Sequence, residues 1–195
     1  MTIAAAADVH TYTDEAGSKR ASEGVTLMGS GPGVSESVFG LLGTPGDVIP
    51  LTPALDTSIY ADGDVLFATT ALAGMFRVAG GRSLVQSLAV IDTDDQGVAF
   101  DLFYLQTNVS LGTINAAPSI TDADAIASNI RRICRVESTD YIDLGGCRIA
   151  NKDNIGAMIE AAAGVTGGYL AAITRGGTPT YTASGLLLRL GVIQF

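Results

Sequence analysis

The chain has 195 residues and a formal net charge of −9, enough length for one domain with a substantial core plus an appendage, or for two very small domains. That acidity opposes binding to phosphate backbones, and a cysteine count of two excludes a disulfide-dense secreted scaffold. Glycine is abundant, at 24 residues without a three-residue period, which excludes collagen and suits many tight turns between short strands; tryptophan is absent, so stacking platforms for sugars or single-stranded nucleic acid are poorly supplied.

The chain opens MTIAAAADVHTYTDEAG, with neither the basic start nor the apolar run of a signal peptide, and no apolar run approaches the ~20 residues that span a bilayer. A soluble protein made in the cytoplasm, with no membrane partner, is the expectation. Residues 1–59 are rich in Gly, Ser, Thr and Pro, with short apolar patches at 25–28, 38–42 and 48–51. Lys19 and Arg20 stand there against seven acids, Asp8, Asp14, Glu15, Glu23, Glu36, Asp47 and Asp56. Such a segment buries too little apolar surface to fold alone, and it reads as an extended arm carrying one or two short strands that orders along another surface.

From Tyr60 the texture changes to short apolar runs between turn signals. Turn 61–64 leads into a strand at 65–70, and a second strand is expected at 75–79. Arg82 to Gly112 reads as a β-hairpin: two β-branched and aromatic runs flank the acidic turn Asp92-Thr93-Asp94-Asp95-Gln96-Gly97. Alternation puts Val98, Phe100, Leu102 and Tyr104 on a core face and Asp101 on the other, with 109–111 continuing the strand past a kink. Thr121 caps a short helix over Asp122–Ser128 with acids in its first turn. A strand follows at 130–136, exposing Arg131, Arg132 and Arg135, although Ile130, Ile133 and Val136 also fit a helical spacing. Gly145-Gly146 turns one short strand into another, 155–163 alternates as a strand, and 169–174 and the terminal LLLRLGVIQF complete the set. In the last, Leu186, Leu188, Leu190 and Val192 share a face and Arg189 points away. Eight to ten short strands with turns between them predict an all-β sandwich or jelly roll over residues 60–195.

Catalytic chemistry finds little to use. His10 is the one histidine and lies in the arm, no Gly-x-Ser-x-Gly elbow is present, and two cysteines with one remote histidine make a poor zinc set. Gly29-Ser30-Gly31-Pro32-Gly33 lacks the Lys-Ser/Thr ending of a phosphate loop, and Pro32 removes a donor. Asp92, Asp94 and Asp95 are the best metal candidate: Asp92, Asp94 and Gly97 match a calcium loop, but Phe103 occupies the position that needs an acid. A solvated turn is the simpler reading, and no cofactor or metal is expected. Apolar flanks favour buried free thiols at Cys134 and Cys147 over a disulfide. Arg131, Arg132 and Arg135 form the one basic cluster, readable as a solvated face or as a contact with an acidic neighbour; nine Arg against two Lys suit an interface.

Several stretches resemble the head decoration, or cement, proteins of tailed bacteriophages: 56–65 (DTSIYADGDV), 90–97 (VIDTDDQG), 101–104 (DLFY), 120–125 (ITDADA), 141–146 (YIDLGG) and 175–186 (RGGTPTYTASGL). The resemblance covers about residues 56–195. It implies a jelly-roll-like β-sandwich, homo-oligomeric as a dimer or trimer, that is not an enzyme. Its place would be the outer head surface of the virion, bound to the major capsid protein and bridging neighbouring capsid subunits. The alternative is a head-fibre or receptor- and glycan-binding β-sandwich module, since lectin domains share the jelly roll.

Overall fold

The structure is a computed structural model that describes residues 11–13, 19–21 and 46–195. His10 and Gly29–Gly33 therefore lie outside the described residues. The chain divides into two compact units, Met1–Gly43 and Thr44–Phe195. In the first, strands β1 (Thr11–Thr13) and β2 (Lys19–Ala21) pair antiparallel with Tyr12 opposite Arg20.

The second unit carries β3 (Gly46–Leu51), β4 (Val65–Leu72), β5 (Arg82–Asp92), β6 (Ala99–Leu105), helix α1 (Asp122–Ser128), β7 (Ile130–Val136), β8 (Tyr141–Asp143), β9 (Arg148–Lys152), β10 (Ala157–Glu160), β11 (Gly168–Arg175) and β12 (Leu186–Gln194). One sheet runs β3-β12-β5-β9-β8, with β10 beside β9 on the same side of β5; the other runs β4-β11-β6-β7. Every pairing between these strands is antiparallel. The pairs are nested: β6 with β7, β5 with β9 and β10, β4 with β11, and β3 with β12. A chain folded on itself at the β6–β7 connection and then rolled across two sheets gives this order, which is the jelly roll. Among the described residues, no helix is long and apolar enough to cross a membrane.

Alternation builds the core between the sheets. Leu186, Leu188, Leu190 and Val192 of β12 and Val85, Leu88 and Val90 of β5 face Phe67, Phe100, Leu102, Tyr104 and Leu170 of the other sheet. The alternation of β5 shifts by one residue at Gln86, where Ser87 pairs with Gly191 but Val85 pairs with Val192. A Cβ on Gly191 would sit 2.3 Å from the Ser87 Oγ, so a larger residue at this bulge requires the serine hydroxyl to move. All seven residues of β6 are buried, because its sheet is covered on both sides. Phe103 and Leu105 join Val65, Leu111, Ala171 and Ile173 in a second core on the outer face, closed by Ile120 and Ile130. The excursion between β6 and β7 provides that cover. It is tied down by an isolated bridge between Val65 and Ile114 and by α1, whose Thr121 Oγ1 accepts from the Asp124 N–H at 3.1 Å.

Four expectations are corrected. β5 and β6 are not a hairpin: each belongs to a different sheet, and the acidic segment between them is a corner that carries the chain across the sandwich. Residues 75–79 form turns rather than a strand, yet Met75 and Phe76 are buried as plugs of the main core. Residues 109–111 are loop, because the chain there leaves the sheet to cross its outer face. The sandwich unit begins at Thr44, not at residue 60, since β3 hydrogen-bonds along β12 and buries Ile49 and Leu51. The strands at β4, β7, β10, β11 and β12, the β8–β9 hairpin and α1 stand where the sequence places them, within a few residues.

Replacing Leu188 by Ala removes a fully buried side chain from the centre of this stack and is expected to cost about 3 kcal/mol. Arg77→Ala, at an exposed turn position, should cost below about 0.5 kcal/mol. Urea unfolding midpoints of the two variants check the contrast.

Candidate functional site

The corner between β5 and β6 gathers the acids that the sequence offers as a metal set, and each is already engaged. Asp92 is fully buried and accepts from the Gly97 N–H at 2.7 Å and the Asp94 N–H at 3.0 Å. Burial pushes its carboxyl above the usual aspartate range, while those backbone donors act in the opposite sense. Asp94 accepts from the Thr182 N–H at 2.7 Å, which ties the corner to the loop before β12. Asp95 accepts from Arg148 Nε at 2.8 Å. The Arg148 side chain lies over Gly97, where φ is +58° and an added Cβ would stand 2.5 Å from the guanidinium. The carboxylates thus diverge toward three partners instead of converging on one point. Among the described residues, no group of three His, Cys, Asp or Glu side chains is arranged to hold a metal. The expected solvated turn is corrected as well: its first residue is a buried strut of the crossing.

Asp101 is the second charged centre. It sits on the outer face of β6, opposite Arg135 of β7 in the ladder. Arg135 grips it with Nε at 2.6 Å and a second guanidinium nitrogen at 2.9 Å, and Arg175 of β11 donates Nε at 2.6 Å. Asp101 is only 4% exposed, and hydrogen bonding to Arg135, ahead of that to Arg175, holds its carboxyl below the ordinary 3.8 despite burial. One carboxylate therefore pins three adjacent strands of the sheet.

The three arginines do not form one patch. Arg135 shares the outer face with Asp101, Arg132 lies opposite Tyr104 on the other face, and Arg131 falls at the register shift between the Tyr104–Arg132 and Leu105–Ile130 pairs. Arg131 reaches Glu160 of β10 at 3.6 Å and Gln106 at 3.2 Å, bridging one sheet to the other. Arg135 also lies 4.0 Å from Glu137. Cys134 and Cys147 are both free; Cys134 is buried between the sheets, where burial pushes its thiol up. The Tyr104 hydroxyl is buried without a hydrogen-bond partner among the described residues, beside a cavity of about 10 Å³ whose lining includes Arg131 and Glu160. A wider cleft of about 370 Å³, between residues 71–73 and 164–169, is lined by no carboxylate, imidazole, thiol or amine.

The two sheets differ in their outer faces. That of β4-β11-β6-β7 is covered by the second core. That of the other sheet carries two apolar rows running across the strands. In one, Leu187, Ile91, Ile149 and Ile142 stand side by side on β12, β5, β9 and β8. In the other, Ile193, Leu84 and Met158 stand on β12, β5 and β10. None of the seven belongs to either core, and Ile142 is 64% and Met158 53% exposed. Between the rows lie Arg189, Ala89 and Asn151 in one register line and Gly191 with Ser87 in the next. The signal for this face is the ladder: each strand alone shows unremarkable alternation, and the rows exist only once registers are known.

No protein-family model matches the chain, and no curated protein matches it. A chain of desmodium yellow mottle tymovirus aligns with 89% of this chain and 89% of its own length at 11% identity and a TM-score of 0.26, a level of likeness that carries no argument. The jelly roll rests on the strand pairing.

Two substitutions test the charged centres. Asp101→Asn removes the clamp and is expected to cost about 2 kcal/mol at neutral pH. Because the folded carboxyl titrates below 3.8, the wild-type advantage should be full above that pH and vanish as pH falls through the folded value; stability curves from pH 7 to pH 2 read it. Asp92→Ala leaves the buried Gly97 N–H and the half-buried Asp94 N–H without acceptors and should cost about 2 kcal/mol, against below about 1 kcal/mol for Asp95→Ala at the half-exposed Arg148 pair. Thermal melts of both variants decide the ranking.

Proposed function

We propose that the protein is a structural component of a bacteriophage virion that binds the outer surface of the head and bridges neighbouring capsid subunits. The observation that carries this reading is the nested jelly-roll pairing of β3 to β12, in a chain with the phrases of head decoration proteins. The reading is one of analogy in fold and phrase, and the physics of the molecule is compatible with it. The sandwich is held by internal devices: nested ladders, a carboxylate clamped by two arginines, and acids spent on backbone donors and Arg148. Those side chains stabilise a shape, and a role in adhesion needs a stable shape more than a reactive group. Each contact with a capsid subunit is modest in this account, and many copies on one shell make attachment lasting. The major capsid protein is the partner, and the protein acts without a cofactor and without direct contact with nucleic acid.

Heads purified without this protein should take it up from solution and then release their DNA at a higher temperature. Heads that take up none and melt unchanged contradict the proposal, and selective binding on a glycan array would favour a receptor-binding module instead.

A further inference from the structure

The geometry points to the outer face of the β3-β12-β5-β9-β8 sheet, which no described strand or helix covers, as a self-association surface occupied by the same face of a second copy of this chain. The inference names a face for the self-association that the virion reading implies, and its test needs no capsid.

Three features of the face support it. The first is charge. Each copy carries a net −9, so two copies repel least where a surface carries few acids. Among the strand residues between the two apolar rows the charged side chain is Arg189, with the exposed Asp153 following the end of β9, and at the end of the face the Glu160 carboxylate is matched by Arg82 at 3.5 Å. The second is extent. Five strands about 4.8 Å apart, of which β3 carries six residues and β8 three, give about 450 Å² of sheet at about 3.3 Å per residue, before side-chain relief is added. That is a little over half of the about 800 Å² per partner that stable complexes bury.

The third is self-complementarity. β5 runs down the middle, with β12 on one side and β9 and β10 on the other. A two-fold axis lying along β5 in the plane of contact exchanges these flanks. It sets Leu187 over Ile149 of the second copy, Ile193 over Met158, and Ile91 and Leu84 over their own counterparts, because those residues share register lines. The same operation sets Arg189 over Asn151 of the second copy, where the guanidinium donates to the amide oxygen. Apolar rows meet apolar rows, Arg189 meets a neutral acceptor, and every contact off the axis is made twice, as an isologous interface requires. Two sheets so placed pack about 10 Å apart, like the layers of a sandwich.

Sedimentation equilibrium of the full chain at micromolar concentration tests this. The expected mass is twice 19.9 kDa, falling to 19.9 kDa in Ile91→Glu and in Leu84→Glu, each of which sets a carboxylate against its own copy on the axis; Ile126→Glu on the exposed side of α1 should leave the mass unchanged. Methyl NMR of the unsubstituted protein with a soluble paramagnetic agent gives a reading independent of any variant: the Ile91 and Leu187 methyls should be shielded and that of Ile126 broadened. A one-chain mass for the wild type, an assembly that persists in both Glu variants, or Ile91 methyls as accessible as Ile126 would overturn the inference.

Discussion

The crossing from β5 to β6 is the constraint on which the rest of the molecule depends. Within six residues the chain leaves one sheet at Asp92 and enters the other at Ala99. Once those two strands lie in different layers, each needs other partners. β5 takes β12, β9 and β10, and β6 takes β11 and β7, so the remaining chain wraps around them. A corner this tight leaves backbone donors pointing inward, and the buried Asp92 carboxylate collects two of them. Desolvation of that charge costs stability, which the backbone hydrogen bonds offset. Asp94 and Asp95 then fix the outside of the same corner to Thr182 and Arg148.

The second sheet shows how a single charge organises neighbours. Asp101 would be costly where it sits, 4% exposed beside the second core, if it were alone. Two arginines from the flanking strands reach it with their stems along the sheet and their heads toward water. The pairing fixes the register of β7 and β11 against β6 as firmly as the side chains around it do. The other sheet carries no buried charge of this kind on its outer face; apolar rows flank a strip that holds Arg189, Ala89, Asn151, Gly191 and Ser87.

Much of the fold was legible in the sequence, for an identifiable reason. The alternation of Leu186, Leu188, Leu190 and Val192 marks a half-buried strand, Thr121 with its acids marks a helix start, and Gly145-Gly146 marks a hairpin, because each is a local pattern. Partner choice is not local. Two strands joined by a six-residue acidic turn satisfy the hairpin pattern, and nothing within those residues says that β12 outcompetes β6 for the edge of β5. For the same reason alternation puts Asp101 on the face opposite the core residues of its strand without showing that this face is covered too. Arg131, Arg132 and Arg135 look like one patch in sequence, yet strand alternation and a register shift send them to different places. The buried role of Met75 and Phe76 was hidden because turns do not announce which side chains they bury.

The architecture follows from which strands β5 pairs with. Long-range NOEs between backbone protons of the labelled full chain measure this directly. The crossing predicts cross-strand contacts between Val90 and Leu188 and between Phe100 and Val136. Contacts between Val90 and Asp101, which a β5–β6 hairpin would produce, would contradict it.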